Sequence, residues 1–126
     1  AVTAGPMARY IAATLGAWAG NQLARPAPPA TCDLALTTWR LGALACAFVP
    51  AEVFVEYAYQ LRAAFPDLLT LLVGYASPSV GYLPTDAALR EGGYEVDQAY
   101  RFYNHPAPWA AGTEAQVLGA LRAMLG

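Results

Sequence analysis

Lysine is absent from this chain, and its seven cations are all arginines spread from Arg9 to Arg122. With nine acidic residues the formal net charge is −2. No basic stripe exists to neutralise a phosphate backbone, so the sequence gives no nucleic-acid partner. Histidine occurs once, as His105, and cysteine twice, as Cys32 and Cys46. These three residues lack metal-type spacing, and zinc sites need several N, S or O donors together. His105, within NHPAPW, therefore reads as a loop residue. The glycines form neither GxGxxG nor a P-loop, so nothing points to a nucleotide. No uninterrupted apolar run approaches the ~20 residues that span a bilayer, so no transmembrane segment is expected. The N-terminus lacks the basic, apolar, small order of a signal peptide, and the signal of a secreted parent would lie upstream of Ala1.

Charge of either sign is also scarce. Only 13% of residues are charged, against about 25% in ordinary chains. Hydrophobic residues make up 57%, against roughly 45–50%. The 126 residues suffice for one domain with a core. A domain this small has the most surface to cover with polar groups. The composition therefore predicts that part of the surface is covered by more protein, in the same chain or another.

In chain order, Gly5 and Pro6 open a first helix, with proline at the first helical position, where its missing N–H costs little. Met7, Ile11, Leu15 and Trp18 recur at spacings that make one apolar face, and the helix ends near Leu23–Ala24. The run RPAPPA, from Arg25 to Ala30, is an extended connection. A strand is expected over 34–40 and another over 43–49, the second apolar enough for burial on both faces. A hairpin turn at Leu41–Gly42 would set Cys46 opposite Thr37, five residues along the strand from Cys32. That is roughly 16 Å at strand rise. Disulfides need Cα atoms within about 7 Å, so two free thiols are predicted.

Pro50 ends the second strand and Glu52 opens a helix over 52–64, with Val53, Tyr57, Leu61 and Phe65 recurring every four residues. A third strand over 69–76 reads as central and buried. Strand, helix, strand in this order is a βαβ unit with parallel strands and a right-handed crossover. Ser77-Pro78-Ser79 is a turn. Thr85 caps a short helix with Asp86 in its first turn, and Gly92–Gly93 ends it. Tyr100 to Trp109 is a polar-aromatic loop. Thr113 and Gln116 have capping-box spacing for a last helix over 113–125. The fold class is α/β: a mixed sheet with a βαβ unit and flanking helices.

Three short runs stand close together: VGYA at Val73–Ala76, VGYLPT at Val80–Thr85 and GGYEV at Gly92–Val96. They follow VPAEVFVEY at Val49–Tyr57. In this order and spacing they resemble the neutral/alkaline, non-lysosomal ceramidase family of zinc amidohydrolases. The resemblance is good from Asp33 to Glu95 and only general outside it. Ala51 replaces the glycine of that family's PGE turn, and Ser77-Pro78 stands where relatives usually carry Asn-Gly. The resemblance implies that the chain is the C-terminal part of a larger catalytic domain. Its partners would be the upstream part of that domain, or a complementing chain, and a lipid amide substrate. The implied reaction is hydrolysis of N-acylsphingosine to a fatty acid and a sphingoid base, with zinc as cofactor. Family members are secreted or periplasmic.

From the residues alone, Glu52 is a first-turn carboxylate complementing a helix dipole. Its place at the carboxyl end of a strand is also where open α/β sheets hold ligands. Tyr82 is from its residues a core tyrosine at that same edge, and Tyr94 a plain anchoring tyrosine. The resemblance makes Glu52 and Tyr82 zinc ligands and Tyr94 a catalytic tyrosine contacting the substrate amide or its oxyanion. Gly92 and Gly93 would let the backbone turn sharply to present it. The family's remaining ligands are two upstream histidines, and its site also uses an upstream serine and arginine. This chain therefore holds half of the metal's protein ligands and is expected to be silent alone. The alternative is a non-enzymatic α/β module that binds a protein partner through its excess apolar surface.

Overall fold

A computed structural model describes residues 5–27, 31–76 and 78–126. The end of RPAPPA (28–30) and Ser77 of the expected turn lie outside the described residues. The elements are α1 (Pro6–Ala24), β1 (Thr37–Leu41), β2 (Leu44–Phe48), β3 (Glu52–Val53), α2 (Val55–Ala64), β4 (Leu69–Val73), β5 (Tyr82–Leu83), α3 (Asp86–Glu91), α4 (Tyr94–Asp97), a 3₁₀ turn at Ala99–Arg101, and α5 (Thr113–Leu125). The fold is α/β.

One sheet has the order β1-β2-β4. β1 and β2 form an antiparallel hairpin, and β2 and β4 are parallel. With α2 between them, β2 and β4 make the expected βαβ unit. The hairpin turns through Gly42–Ala43, with Leu41 opposite Leu44 and Gly42 at φ +59°. Positive φ at the first of two turn residues favours glycine there. The register differs from the sequence expectation, because Cys46 pairs with Trp39 rather than Thr37. The turn sits one residue later than expected, and a one-residue shift of the turn moves the partner two places. Cys46 thus lies further still from Cys32, and both thiols are free. The first strand is also shorter than expected, since 31–36 has no strand partner and the Leu36 N–H turns back to the Leu34 carbonyl at 3.0 Å.

The core lies on one face of this sheet. Ala45 and Ala47 of β2 meet Tyr57 and Leu61 of α2 and Val117, Leu118, Leu121 and Leu125 of α5, all buried. The periodicity of both helices predicted these positions. The Tyr57 hydroxyl donates to the Pro84 carbonyl at 3.0 Å, which satisfies it inside the core. Glu114 staples the layer: it accepts from Gln60 of α2 and from the Asp86 backbone N–H at the start of α3. The expected cap at Thr85 is present, accepting from Ala88 N–H at 3.2 Å. The expected cap at Thr113 is not. Gly112, at φ +89°, is the N-cap, and the Thr113 hydroxyl donates back to the Ala110 carbonyl. The left-handed turn at Gly112 places Thr113 already inside the helix.

Among the described residues, nothing covers the other face of the sheet. Expectation had β2 and β4 buried on both faces, and β4 central. Instead β4 is an edge, and burial alternates along it. Trp39, Leu41, Leu69, Leu71 and Val73 are exposed, with Leu44, Cys46 and Phe48 of β2 half-buried between them. No charged residue interrupts this patch. α1 does not cover it. That helix has no buried residue, and Trp18, Asn21 and Gln22 tie it to His105 and Asn104 instead. Among the described residues no helix is long and apolar enough to cross a membrane.

Candidate active site at the carboxyl ends of the strands

β2 and β4 do not stop cleanly. Their ladder continues through Val49 N–H to Val73 O at 2.9 Å, Tyr75 N–H to Ala51 O at 2.8 Å and Val80 N–H to Pro50 O at 2.8 Å. It then closes as a second parallel pair, β3 with β5, in which Glu52 stands opposite Tyr82 and Val53 opposite Leu83. Glu52 is therefore a strand residue, and α2 starts only at Val55. The helix expected to open at Glu52 is shortened by this extra pairing. The dipole argument for Glu52 falls with it, and strand register takes its place. Neighbouring strands lie about 4.8 Å apart, so residues opposed in register project side by side from one face.

Glu52 is clamped by phenols. Tyr103 donates to its Oε1, and Tyr75 donates to Oε2 at 2.7 Å. Desolvation pushes the Glu52 carboxyl up, and the hydroxyls of Tyr103, Tyr75 and Tyr82 together hold it below the usual carboxylate range. The tyrosines move the other way. The Tyr103 hydroxyl, bonded to Glu52 and partly desolvated, is pushed up to about 12. Tyr82 is raised by desolvation and then by Glu52, and Tyr75 by its hydrogen bond to Glu52. An anionic carboxylate thus sits among phenols that keep their protons.

The backbone of Tyr82 is fixed from behind. Trp109 Nε1 donates to the Tyr82 carbonyl at 2.7 Å, and His105 Nε2 lies 2.7 Å from the Val80 carbonyl. A carbonyl only accepts, so that imidazole nitrogen carries the proton. His105 is a loop residue, as expected, and it anchors the strand that carries Tyr82. Asn104, at φ +60°, lies between Tyr103, which reaches Glu52, and His105, which reaches the Val80 carbonyl.

Tyr94 begins α4 after Gly92 and Gly93, at φ +76° and +116°, so the backbone turns where the sequence placed it. Its ring packs edge-on to Tyr82, with centroids 6.2 Å apart, and beside Phe102 at 6.4 Å. These rings form one wall of a cleft of about 470 Å³ whose other wall is Met7, Tyr10 and Ile11 of α1. No charged side chain lines it. A second hollow of about 440 Å³ lies behind the Trp109 loop, between 31–36 and α5, and holds no carboxylate or guanidinium.

The structure therefore sets Tyr82 and Tyr94 in one cleft wall and Glu52 beside Tyr82 in strand register, outside the cleft lining. It adds Tyr75 and Tyr103, which sequence reasoning missed, together with the anchoring role of Trp109. For Tyr103 and Trp109 the one signal was the density of aromatics in YRFYNHPAPW, and Tyr75 stands in the VGYA run. Among the described residues no group of three or more His, Cys, Asp and Glu is placed to hold a metal ion. No protein-family model, curated protein or solved structure matches this chain.

Proposed function

We propose that this chain is the C-terminal part of the catalytic domain of a ceramidase-like zinc amidohydrolase. Its reaction would be hydrolysis of the amide of N-acylsphingosine to a fatty acid and a sphingoid base. The observation that carries this reading is the register of Glu52 against Tyr82 on paired parallel strands at the carboxyl edge of the fold. The residues fit zinc in kind, because a carboxylate and a phenol in adjacent register are oxygen donors of compatible reach. They fit it in part only, as two donors of a four-coordinate site. In this reading two upstream histidines, from the same chain or a complementing one, supply the rest.

When bound, zinc polarises the amide carbonyl and activates a water for attack. The chain's own residues have distinct tasks. Glu52 supplies negative charge, already developed at neutral pH. Tyr82 supplies an oxygen that must first lose a proton, which the neighbouring Glu52 holds in place. Tyr94 presents its hydroxyl to the amide oxygen as that oxygen gains negative charge. The uncharged aromatic cleft offers an apolar substrate a wall of Tyr82, Tyr94 and Phe102.

The bare sheet face favours a second reading, a non-enzymatic module that binds a protein partner there. The two separate in one experiment. The chain joined to its upstream region is assayed with a fluorescent N-acylsphingosine. Turnover is expected, with Glu52→Gln and Tyr82→Phe inactive and Tyr94→Phe slowed about 10²–10³-fold, as for loss of one oxyanion donor. Undiminished turnover in Glu52→Gln defeats the proposal, and partner binding without any turnover establishes the rival.

A further inference from the structure

Both oxygens of the Glu52 carboxylate are occupied by phenols from distant parts of the chain. Tyr103 lies 51 residues away in sequence and Tyr75 lies 23 away. Packing does not explain why they are there, since Tyr75 is 68% and Tyr103 38% exposed. Each is nevertheless held by an unusual backbone. Tyr75 adopts φ +54°, a left-handed conformation that bulky residues avoid and that collects at functional sites. Gly81, at φ +94°, lies directly under the Tyr103 ring. A Cβ at Gly81 would stand 2.5 Å from Tyr103 Cδ2 and 2.7 Å from Cγ. The position just before Tyr82 is kept bare, and Tyr103 passes over it to reach Glu52.

We propose that Tyr103 and Tyr75 are positioning residues for Glu52, one hydroxyl on each carboxylate oxygen, and that Gly81 is the gap that admits Tyr103. The clamp leaves the carboxylate one orientation, beside Tyr82. A free glutamate side chain would sample several rotamers, and a ligand must be in place before its metal arrives. The inference rests on the reading of Glu52 as a zinc ligand. Partners that orient a ligating group typically change metal affinity 10–100-fold when removed.

The test uses this chain joined to its upstream region, with zinc as the probe and a competing chelator to read affinity. Tyr103→Phe and Gly81→Ala are each expected to weaken zinc about 10–100-fold. The double variant should be no weaker than the worse single one, because both remove the same contact. Tyr75→Phe should also weaken zinc, while the unfolding temperatures of both Phe variants stay near that of the parent. A merely structural tyrosine would show the reverse, with lowered unfolding temperature and unchanged affinity. A second readout needs no metal: carbon-13 relaxation of labelled Glu52 in the metal-free chain should show the side chain loosened in Tyr103→Phe. Unchanged Glu52 order in that variant overturns the clamp, as does unchanged zinc affinity in a parent that binds zinc. A parent that binds no zinc, with Glu52 loosened in the variant, overturns the ligand reading and supports the clamp. Losses that add in the double variant overturn the role given to Gly81.

Discussion

The two faces of the β1-β2-β4 sheet carry different residues and meet opposite fates: the face with small and polar residues is covered, and the one with the large apolar side chains is open. On one face Ala45 and Ala47 lie beneath Leu61 and Leu121, all fully buried. On the other, Leu69 is 65% and Leu41 79% exposed. The same strands and the same backbone ladder bury Ala45 and Ala47 under the helices on one side and leave the larger apolar side chains uncovered on the other. The difference teaches where stability resides in this chain. It is concentrated in the α2–α5 layer, and the bare face adds nothing until something covers it. The proposed catalytic edge lies beyond the strand ends, where both layers stop.

The largest effect expected is on the covered face. Leu61→Ala or Leu121→Ala should cost about 2–5 kcal/mol by leaving a cavity, read by urea denaturation. Leu71→Ala on the bare face, measured the same way, should cost under ~0.5 kcal/mol. Comparable losses on the two faces would show that the bare face is covered in solution. Second, Tyr57→Phe should cost about 1–3 kcal/mol, because it leaves the buried Pro84 carbonyl without its donor.

Third, Thr70 of β4 points into the covered side with its hydroxyl buried and unpartnered. Thr70→Val should therefore gain about 1 kcal/mol, seen as a raised unfolding temperature. Fourth, at concentrations well above those of the denaturation measurements the isolated chain should associate through the bare face, and Leu71→Lys should prevent this while leaving stability almost unchanged, followed by sedimentation velocity.

Finally, the Glu52 cluster should give a small pH dependence at both extremes. The Glu52 carboxyl is lowered, so its contribution is complete above about 4.3, the ordinary glutamate value, and is lost as pH falls through the lowered value. The Tyr103 phenol is raised to about 12. Its contribution is complete below about 10 and is lost as pH rises from there through the raised value. Tyrosinate absorbance at high pH should lose a late-titrating phenol in Tyr103→Phe.

Much of this architecture is legible in the sequence, and the reasons differ by element. The βαβ unit follows from an apolar run, a four-residue periodicity ending in Tyr57 and Leu61, and a second apolar run. α1 was readable from Pro6 and its spacing, although nothing local says that Met7 and Ile11 of its apolar stripe stay exposed while Leu15 and Trp18 are only half-buried. The bare sheet face was not legible strand by strand. A strand such as ALACAFV reads as doubly buried whether its second cover lies within the described residues or not. Composition gave the better clue, through the shortage of charge. Glu52 was placed in a helix because Pro50 and the four-residue repeat favour a start there. The pairing with Tyr82–Leu83 is a long-range contact that no local pattern encodes. The Tyr103 and Tyr75 hydrogen bonds escaped for the same reason, and so did the replacement of the Thr113 cap by Gly112. At Gly92–Gly93 the local rule sufficed, because two glycines with positive φ are what the turn to Tyr94 requires.

The central claim is that Glu52 and Tyr82 are half of a zinc site completed by upstream residues. Its most direct test is the zinc content of the lone 126-residue chain beside that of the same chain joined to its upstream region, both measured by mass spectrometry after purification in limiting zinc. Two donors, one of them a phenol held protonated, should retain little metal. The account predicts well under one zinc per lone chain and one per joined protein. One tightly held zinc in the lone chain, or none in either, would contradict it.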